Sequence, residues 1–115
     1  MSDLDAGTGT DAASLALTHE ALPAEEVIAG APTTASVPLS TLAGVEVGVW
    51  EMTPGTASDV EADEVFVVLA GRATIAFDEP ALPSLEVGPG SVVRLAEGMR
   101  TVWTVSETLR KVYIA

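Results

Sequence analysis

The feature that most constrains this chain is a series of short Val- and Thr-rich runs, interrupted by glycine or proline about every 8 to 12 residues from Thr33 onward. No segment in this region repeats apolar residues at helical spacing. Short, evenly spaced strands are typical of β-sandwiches and β-barrels, so we expect an all-β fold, closed or sandwiched. The strand candidates are Thr33–Val37, Val45–Met52, Glu64–Ala70, Arg72–Phe77, Ser84–Val87, Ser91–Leu95, Thr101–Val105 and Leu109–Ile114.

The first part of the chain does not show this regular pattern of short Val- and Thr-rich runs. We expect residues 1–32 to be an N-terminal tail and linker ahead of a barrel domain at 33–115. Residues 1–18 offer only three leucines for burial, which is too little to offset the entropy of ordering them. We therefore expect a flexible tail there. One helical turn is expected over Ala24–Ala29, directly after Pro23.

The charge is distributed unevenly and excludes two classes of partner. The net charge is −12, and 12 acidic residues but no lysine or arginine precede Arg72. Nucleic acids and anionic membrane surfaces both need lysine and arginine for attraction, so neither is an expected partner. The sequence also lacks a cationic, apolar leader and any apolar run of about 18 residues. We expect a cytoplasmic protein.

Three residue types are absent, and their absence limits the chemistry of any site. The chain has no cysteine, asparagine or glutamine, and His19 is its one histidine. Disulfides, thiolate metal sites and thiol nucleophiles are therefore excluded. A Ser-His-Asp triad cannot be assembled in the barrel region either. A site must use carboxylates, hydroxyls, the few aromatic residues and five cations, and we expect no metal and no cofactor.

Carboxylates are concentrated just before the central strand candidate. Within Glu64–Ala70, period-two alternation places Glu64 on one face with Phe66 and Val68. A carboxylate on an apolar face must be paired, solvated or protonated. Four carboxylates fall within six residues. They form a solvated loop, hold a hard cation through oxygen ligands, or share a proton with one pKa raised by its neighbours. The four are Asp59, Glu61, Asp63 and Glu64.

Two segments carry a resemblance to a known superfamily. Glu64–Gly71 is similar to the end of the first cupin motif, a glutamate followed by a strand and a glycine turn, and Gly88–Gly98 resembles the second. The flanking segments Trp50–Gly55 and Val102–Tyr113 resemble small single-domain cupins related to the ethanolamine-utilisation cupin. The resemblance implies a single small jelly-roll β-barrel, RmlC-like, with Glu64 directed into it.

The chain departs from the metal-binding cupins at the positions of their histidines. The resemblance places the first histidine pair on Ser58 and Val60, or on Ala57 and Asp59, and the third histidine on Thr101. None of these residues is histidine. Because transition metals prefer imidazole and thiolate ligands, we expect no three-histidine, one-glutamate centre here.

Thr101 and Trp103 share one face of a strand candidate, and the resemblance directs that face inward. Trp103 then either forms the floor of a ligand pocket or plugs the barrel, with its indole donating to an acceptor such as Glu64.

Trp50 is expected at a sheet face or subunit interface. Arg110 and Lys111 are expected to pair with the acidic half of the molecule or of a partner subunit.

These observations leave three hypotheses for function. In the first, the protein binds a small molecule in the barrel mouth, with Glu64, Thr101 and Trp103 as the pocket and Asp59 and Glu51 at the rim. In the second, it is a metal-independent or weakly metal-dependent lyase, isomerase or hydrolase with Glu64 as general base. In the third, it is a structural barrel without a ligand.

A homodimer is also expected. The strand candidate Thr33–Val37 lies outside the motif-bearing region, and open barrels leave a sheet edge that needs covering. Pairing of this strand with an edge, in the same subunit or in a second one, would cover it.

Overall fold

The computed structural model describes residues 4–115, which form nine strands and one short 3-10 turn. The strands are all antiparallel to their neighbours and belong to one sheet that curls on itself. The all-β prediction is confirmed. The elements are β1 (Glu20–Ala21), the 3-10 turn (Ala24–Glu26), β2 (Val27–Ala29), β3 (Thr33–Leu42), β4 (Val45–Met52), β5 (Gly55–Val60), β6 (Glu64–Glu79), β7 (Leu82–Val87), β8 (Val92–Leu95) and β9 (Arg100–Ile114).

Strand β9 organises the sheet because it pairs along both of its edges. On one side its first half lies beside β5 and its second half beside β4. On the other side it follows the long strand β6 through both halves. Strands β7 and β8 then pair with the two halves of β6. The sheet thereby encloses an apolar core that includes Phe66, Ile75, Leu95 and Leu109.

Gly71 does not end a strand, as the sequence suggested, but lies within the continuous strand β6. The pairing of β6 with β9 shifts register on both sides of this residue, so the strand bends through a bulge rather than a turn. Gly71 has φ of +89°, and a Cβ atom there would clash with the carbonyl oxygen of Thr108. Only glycine satisfies both conditions without strain. The predicted breaks inside β6 and β9 are therefore bends in two long strands.

The N-terminal segment contacts the barrel. Strand β1 pairs with β3, and β2 pairs with β5. The expected helical turn is a 3-10 turn over Ala24–Glu26 that passes directly into β2. Further upstream, Nη1 of Arg110 donates to the carbonyl oxygens of Ala12 and Leu15, at 3.0 and 2.8 Å. The proposed boundary after residue 32 stays a prediction, and residues 1–3 of the expected tail lie outside the described residues.

The strand candidate Thr33–Val37 is part of the longer strand β3, which pairs with β4 and β1 of the same chain. Pairing with a second subunit is therefore not needed to cover this strand. The homodimer stays a prediction, and light scattering at micromolar concentration tests it. Within residues 4–115, no helix has the length and apolar character needed to span a membrane.

We expect Gly71→Ala to destabilise the protein more than Gly90→Ala does. Both residues have a positive φ, but a Cβ at Gly90 meets nothing within 4 Å. The left-handed conformation alone costs about 1–2 kcal/mol for a non-glycine residue. Gly71→Ala adds the clash with Thr108, which costs about 1–3 kcal/mol more. Urea denaturation of the two variants measures the difference, and equal free energies of unfolding would contradict the close approach at Gly71.

Candidate functional site

A cavity of about 390 Å³ opens on the inner face of the sheet. Residues of β3, β4, β5, β6 and β9 form its walls, and Leu22 and Glu26 of the N-terminal segment complete one side. The pairing register explains this convergence, since Trp50 of β4 lies opposite Lys111 of β9, and Ala57 of β5 opposite Trp103. The cavity therefore combines aromatic surfaces with several ionisable groups.

Lys111 and Glu64 form a largely buried ion pair at this cavity. Nζ of Lys111 lies 2.7 Å from Oε2 of Glu64, and the two side chains are only 6% and 13% exposed. The ammonium also lies 4.5, 4.2 and 4.9 Å from the ring centroids of Trp50, Phe66 and Trp103. Three aromatic faces and one carboxylate thus surround the ammonium and attract it electrostatically.

Glu61 is a second carboxylate at this cavity, and the sequence did not single it out from its acidic neighbours. The residue is 6% exposed. Its Oε2 accepts hydrogen bonds from Oγ1 of Thr101 at 2.6 Å and from Nε1 of Trp103 at 3.0 Å. The indole N–H, which the sequence matched to an acceptor such as Glu64, therefore donates to Glu61 instead. Two neutral donors stabilise a carboxylate that a solvated loop would have left in water.

Asp59 lies at the mouth of the cavity and keeps an exposed side chain. Its Oδ1 accepts a hydrogen bond from the backbone N–H of Val60 at 2.8 Å. Loss of surrounding water, followed by the nearby charge of Glu61 and then of Glu26, raises the pKa of Asp59 to about 6. This carboxyl group therefore exchanges its proton close to neutral pH.

Glu51, which the sequence suggested as a rim residue, does not line the cavity. It faces the opposite side of β4, where His19 contacts it at 2.6 Å and Nε of Arg110 donates to it at 2.9 Å. Burial acts to raise the pKa of Glu51, but the hydrogen bonds and charges of Arg110 and His19 outweigh it and hold the pKa below its usual value. This network attaches the N-terminal segment to the outer face of the sheet.

Tyr113 forms part of the cavity rim. Its hydroxyl donates to Oε2 of Glu46 at 2.6 Å, and its ring lies against Gly48, where any Cβ atom would clash with it. Desolvation, and then the hydrogen bond to Glu46, raises the pKa of Tyr113 above its usual value. The phenol is therefore a neutral hydrogen-bonding group at physiological pH.

The structure brings together three of the sequence-derived site residues, Glu64, Trp103 and Asp59, as lining of one cavity. Thr101 reaches this group through its hydrogen bond to Glu61 and lines an adjoining cavity of about 300 Å³. Sequence reasoning missed Lys111 and Glu61 as members of the site. The sequence contained an indication for Lys111, because an even number of positions separates it from Thr101 and Trp103. Side chains at such spacings along one strand point to the same face.

The side chains at this cavity do not provide the ligands of the metal centre that histidines form in metal-binding cupins. The aligned positions hold alanine, serine, aspartate, valine and threonine, which offer no nitrogen ligand. Glu64, the counterpart of the metal-binding glutamate, is engaged by the ammonium of Lys111. In the part of the chain that the structure describes, no three histidine, aspartate or glutamate residues are grouped to hold an ion. Side chains of these kinds make a poor transition-metal site.

Comparison with known proteins identifies relatives of this chain. Residues 39–113 match the model of the EutQ-like cupin domain. A structure of a protein of unknown function from Pseudomonas syringae pv. tomato str. DC3000 is 27% identical to this chain and superimposes with a TM-score of 0.74. The match covers 90% of this chain and 45% of the Pseudomonas protein. The chain thus spans less than half of that relative.

Two further structures share the fold at lower identity. The Clostridium difficile EutQ protein is 21% identical with a TM-score of 0.61, and the match covers 72% of this chain and 67% of that one. A putative ethanolamine utilisation protein Q from Salmonella typhimurium LT2 is 16% identical with a TM-score of 0.60, covering 71% and 68%. The comparison with curated proteins found no match.

We expect Lys111→Met to lower the free energy of unfolding by about 3–5 kcal/mol, because it leaves Glu64 as an unpaired buried charge. The double variant Lys111→Met/Glu64→Gln should recover at least about 1 kcal/mol of that loss. The matched control is Arg94→Met, which breaks an exposed pair with Asp63 whose side chains are 60% and 69% exposed. It should cost no more than about 1 kcal/mol. Urea denaturation that gives equal losses for Lys111→Met and Arg94→Met would refute the role of the buried pair.

We also expect the purified protein, dialysed without chelator, to hold well below one manganese, iron, nickel or zinc ion per chain. The reason is the lack of nitrogen ligands and the ammonium already bound to Glu64. Elemental analysis measures the content. About one transition-metal ion per chain would overturn the expectation, whereas weakly held magnesium or calcium would not.

Proposed function

We propose, since this chain belongs to the EutQ-like cupin domain family, that the protein binds a small organic molecule in the cavity of its barrel. The observation that carries the proposal is the cavity of about 390 Å³, which has aromatic walls and convergent polar groups. Small-molecule sites in proteins are concave, about 300–1,000 Å³ in volume, and mostly apolar with a few placed polar groups. The cavity agrees with each of these criteria.

Trp103 is the floor of the proposed site and Asp59 its rim. The indole of Trp103 is oriented by its hydrogen bond to Glu61, and its ring packs against Trp50 and Phe66 with centroids 5.7 and 5.6 Å apart. Glu64 contributes together with Lys111. Such mutual packing orders the site before a ligand arrives, which lowers the entropic cost of binding.

Two other sequence-derived residues support the site from outside the cavity. Thr101 takes part by orienting Glu61, to which it donates a hydrogen bond. Glu51 supports the same walls from the opposite face of β4, through its contacts with Arg110 and His19. In this proposal neither residue touches the ligand.

Proton-transfer catalysis is a second candidate, and Asp59 is the observation that favours it. A carboxyl group whose pKa is raised to about 6 can both accept and donate a proton near neutral pH, as a general acid or base must. Glu64 is less free for this role, because Lys111 donates to it at 2.7 Å. If a lyase, isomerase or hydrolase activity is found, its pH–rate profile should show a limb near 6 that Asp59→Asn removes.

We expect Ser36→Trp to abolish ligand binding, because Ser36 is an exposed residue that lines the cavity and a tryptophan there fills it. Ser84→Trp is the matched control, since Ser84 is exposed on β7 and does not line the cavity. A metabolite library is screened by thermal shift, and hits are measured by calorimetry and by native mass spectrometry of protein purified from cells.

One ligand per chain in the wild type and in Ser84→Trp, and none in Ser36→Trp, would support the proposal. Binding that survives in Ser36→Trp would place the ligand elsewhere. A library without hits, together with unliganded protein from cells, would favour the barrel without a ligand.

A further inference from the structure

The cavity has more negative than positive charge. Five side-chain carboxylates line it, and Lys111 is its one cationic side chain among the described residues. That ammonium is engaged by Glu64. Each arginine among the described residues lies within 4 Å of a carboxylate outside this cavity. The arginines are Arg72, Arg94, Arg100 and Arg110. No cation among residues 4–115 therefore forms an ion pair with the remaining four carboxylates, which are Glu26, Glu46, Asp59 and Glu61.

Glu61 offers a free hydrogen-bond acceptor to the cavity. Its Oε2 accepts both donors, from Thr101 and Trp103, and no described residue donates to its Oε1. Across the described residues, no buried side-chain oxygen lacks a partner. Oε1 therefore reaches open space, and the open space beside this nine-tenths buried residue is the cavity that it lines. A charged acceptor held rigidly at the edge of a small cavity is a strong recognition group.

Asp59 provides a second acceptor nearby. Its pKa is raised by desolvation and by the charges of Glu61 and Glu26, so the negative charges at this end of the cavity repel one another. A positive charge placed between them would relieve the repulsion. An anionic ligand would increase it.

We infer that the ligand carries a protonated primary amine, bound by the carboxylates of Glu61 and Asp59 beside the ring of Trp103. This inference rests on the proposed function and names the class of its ligand. An ammonium group has three N–H donors, and aromatic faces attract it. The protein already holds one ammonium in this cavity by the same means, since Lys111 is bound by Glu64 and three aromatic rings.

A hard metal cation fits this end of the cavity less well. Calcium and magnesium take six or more oxygen ligands. In the described residues no group of three carboxylates is close enough to coordinate one ion. Two carboxylates and an aromatic face instead suit an organic ammonium.

Three probes of equal size and different charge test the inference: propylammonium, 1-propanol and propionate, each at millimolar concentration and constant ionic strength. Binding is measured by thermal shift and calorimetry at pH 8. Propylammonium should raise the Tm saturably, and the other two probes should not. Its affinity should fall at least about tenfold in Glu61→Gln, because a hydrogen bond to a charged acceptor is lost. Glu97→Gln, which removes an exposed carboxylate outside the cavity, should leave the affinity unchanged.

Asp59→Asn is the second variant, and it tests the inference if Glu61→Gln does not fold. Because Asp59 is exposed at the mouth of the cavity, we expect this variant to fold and to have a lower affinity for propylammonium. Equal affinity in Asp59→Asn and the wild type, no binding of propylammonium, or a larger stabilisation by calcium would overturn the inference. If propionate or 1-propanol binds and Ser36→Trp removes that binding, the proposed function stands and the amine class is wrong. If no probe and no library compound binds, both fail.

Discussion

The backbone pairing of β9 is the interaction on which the interior of this protein depends. This strand lies between β6 on one side and β4 and β5 on the other, so its hydrogen bonds join the two sides of the curled sheet. The side chains that it directs inward, Thr101, Trp103 and Lys111, then meet residues that are 40 or more positions away in sequence. A shift of one residue in this register would move all three to the other face of the strand.

The cavity presents two carboxylates, one buried and one partly buried, in two different environments. Glu64 is paired with a cation, and three aromatic rings surround that cation. Glu61 is held by a hydroxyl and an indole, both neutral. Charges removed from water need compensation, and a neutral donor compensates less than an opposite charge does. The uncompensated charge is thus concentrated at Glu61 and its neighbour Asp59, which is the end of the cavity where we place a cationic ligand.

The relation to metal-binding cupins follows from the same arrangement. The resemblance aligns Glu64 with the glutamate that binds a metal in those proteins, and here an ammonium from the chain itself binds that carboxylate. A lysine supplies a fixed positive charge and hydrogen-bond donors, but it has no open coordination position for a ligand. The barrel therefore retains a positive charge beside its glutamate, but the charge is an ammonium and not a metal ion.

The sequence by itself determined the fold class, through the spacing of its short Val- and Thr-rich runs, and it determined which residues of a strand share a face, through period-two alternation. The resemblance to cupins then implied that the faces of Glu64, Thr101 and Trp103 point inward. Val45–Met52 was predicted with the bounds that β4 has, and the cupin motifs located Glu64 and Trp103 at one cavity. Strand β5 was missed, because Gly55–Val60 has few apolar residues and forms a strand only through its pairing with β9. Only the tertiary structure decided that Glu61 is buried, that Lys111 binds Glu64, and that Glu51 faces away from the cavity with Arg110 and His19. Each of these contacts joins segments that are far apart in the chain, and the strand register that brings them together is a property of the closed sheet rather than of any local pattern.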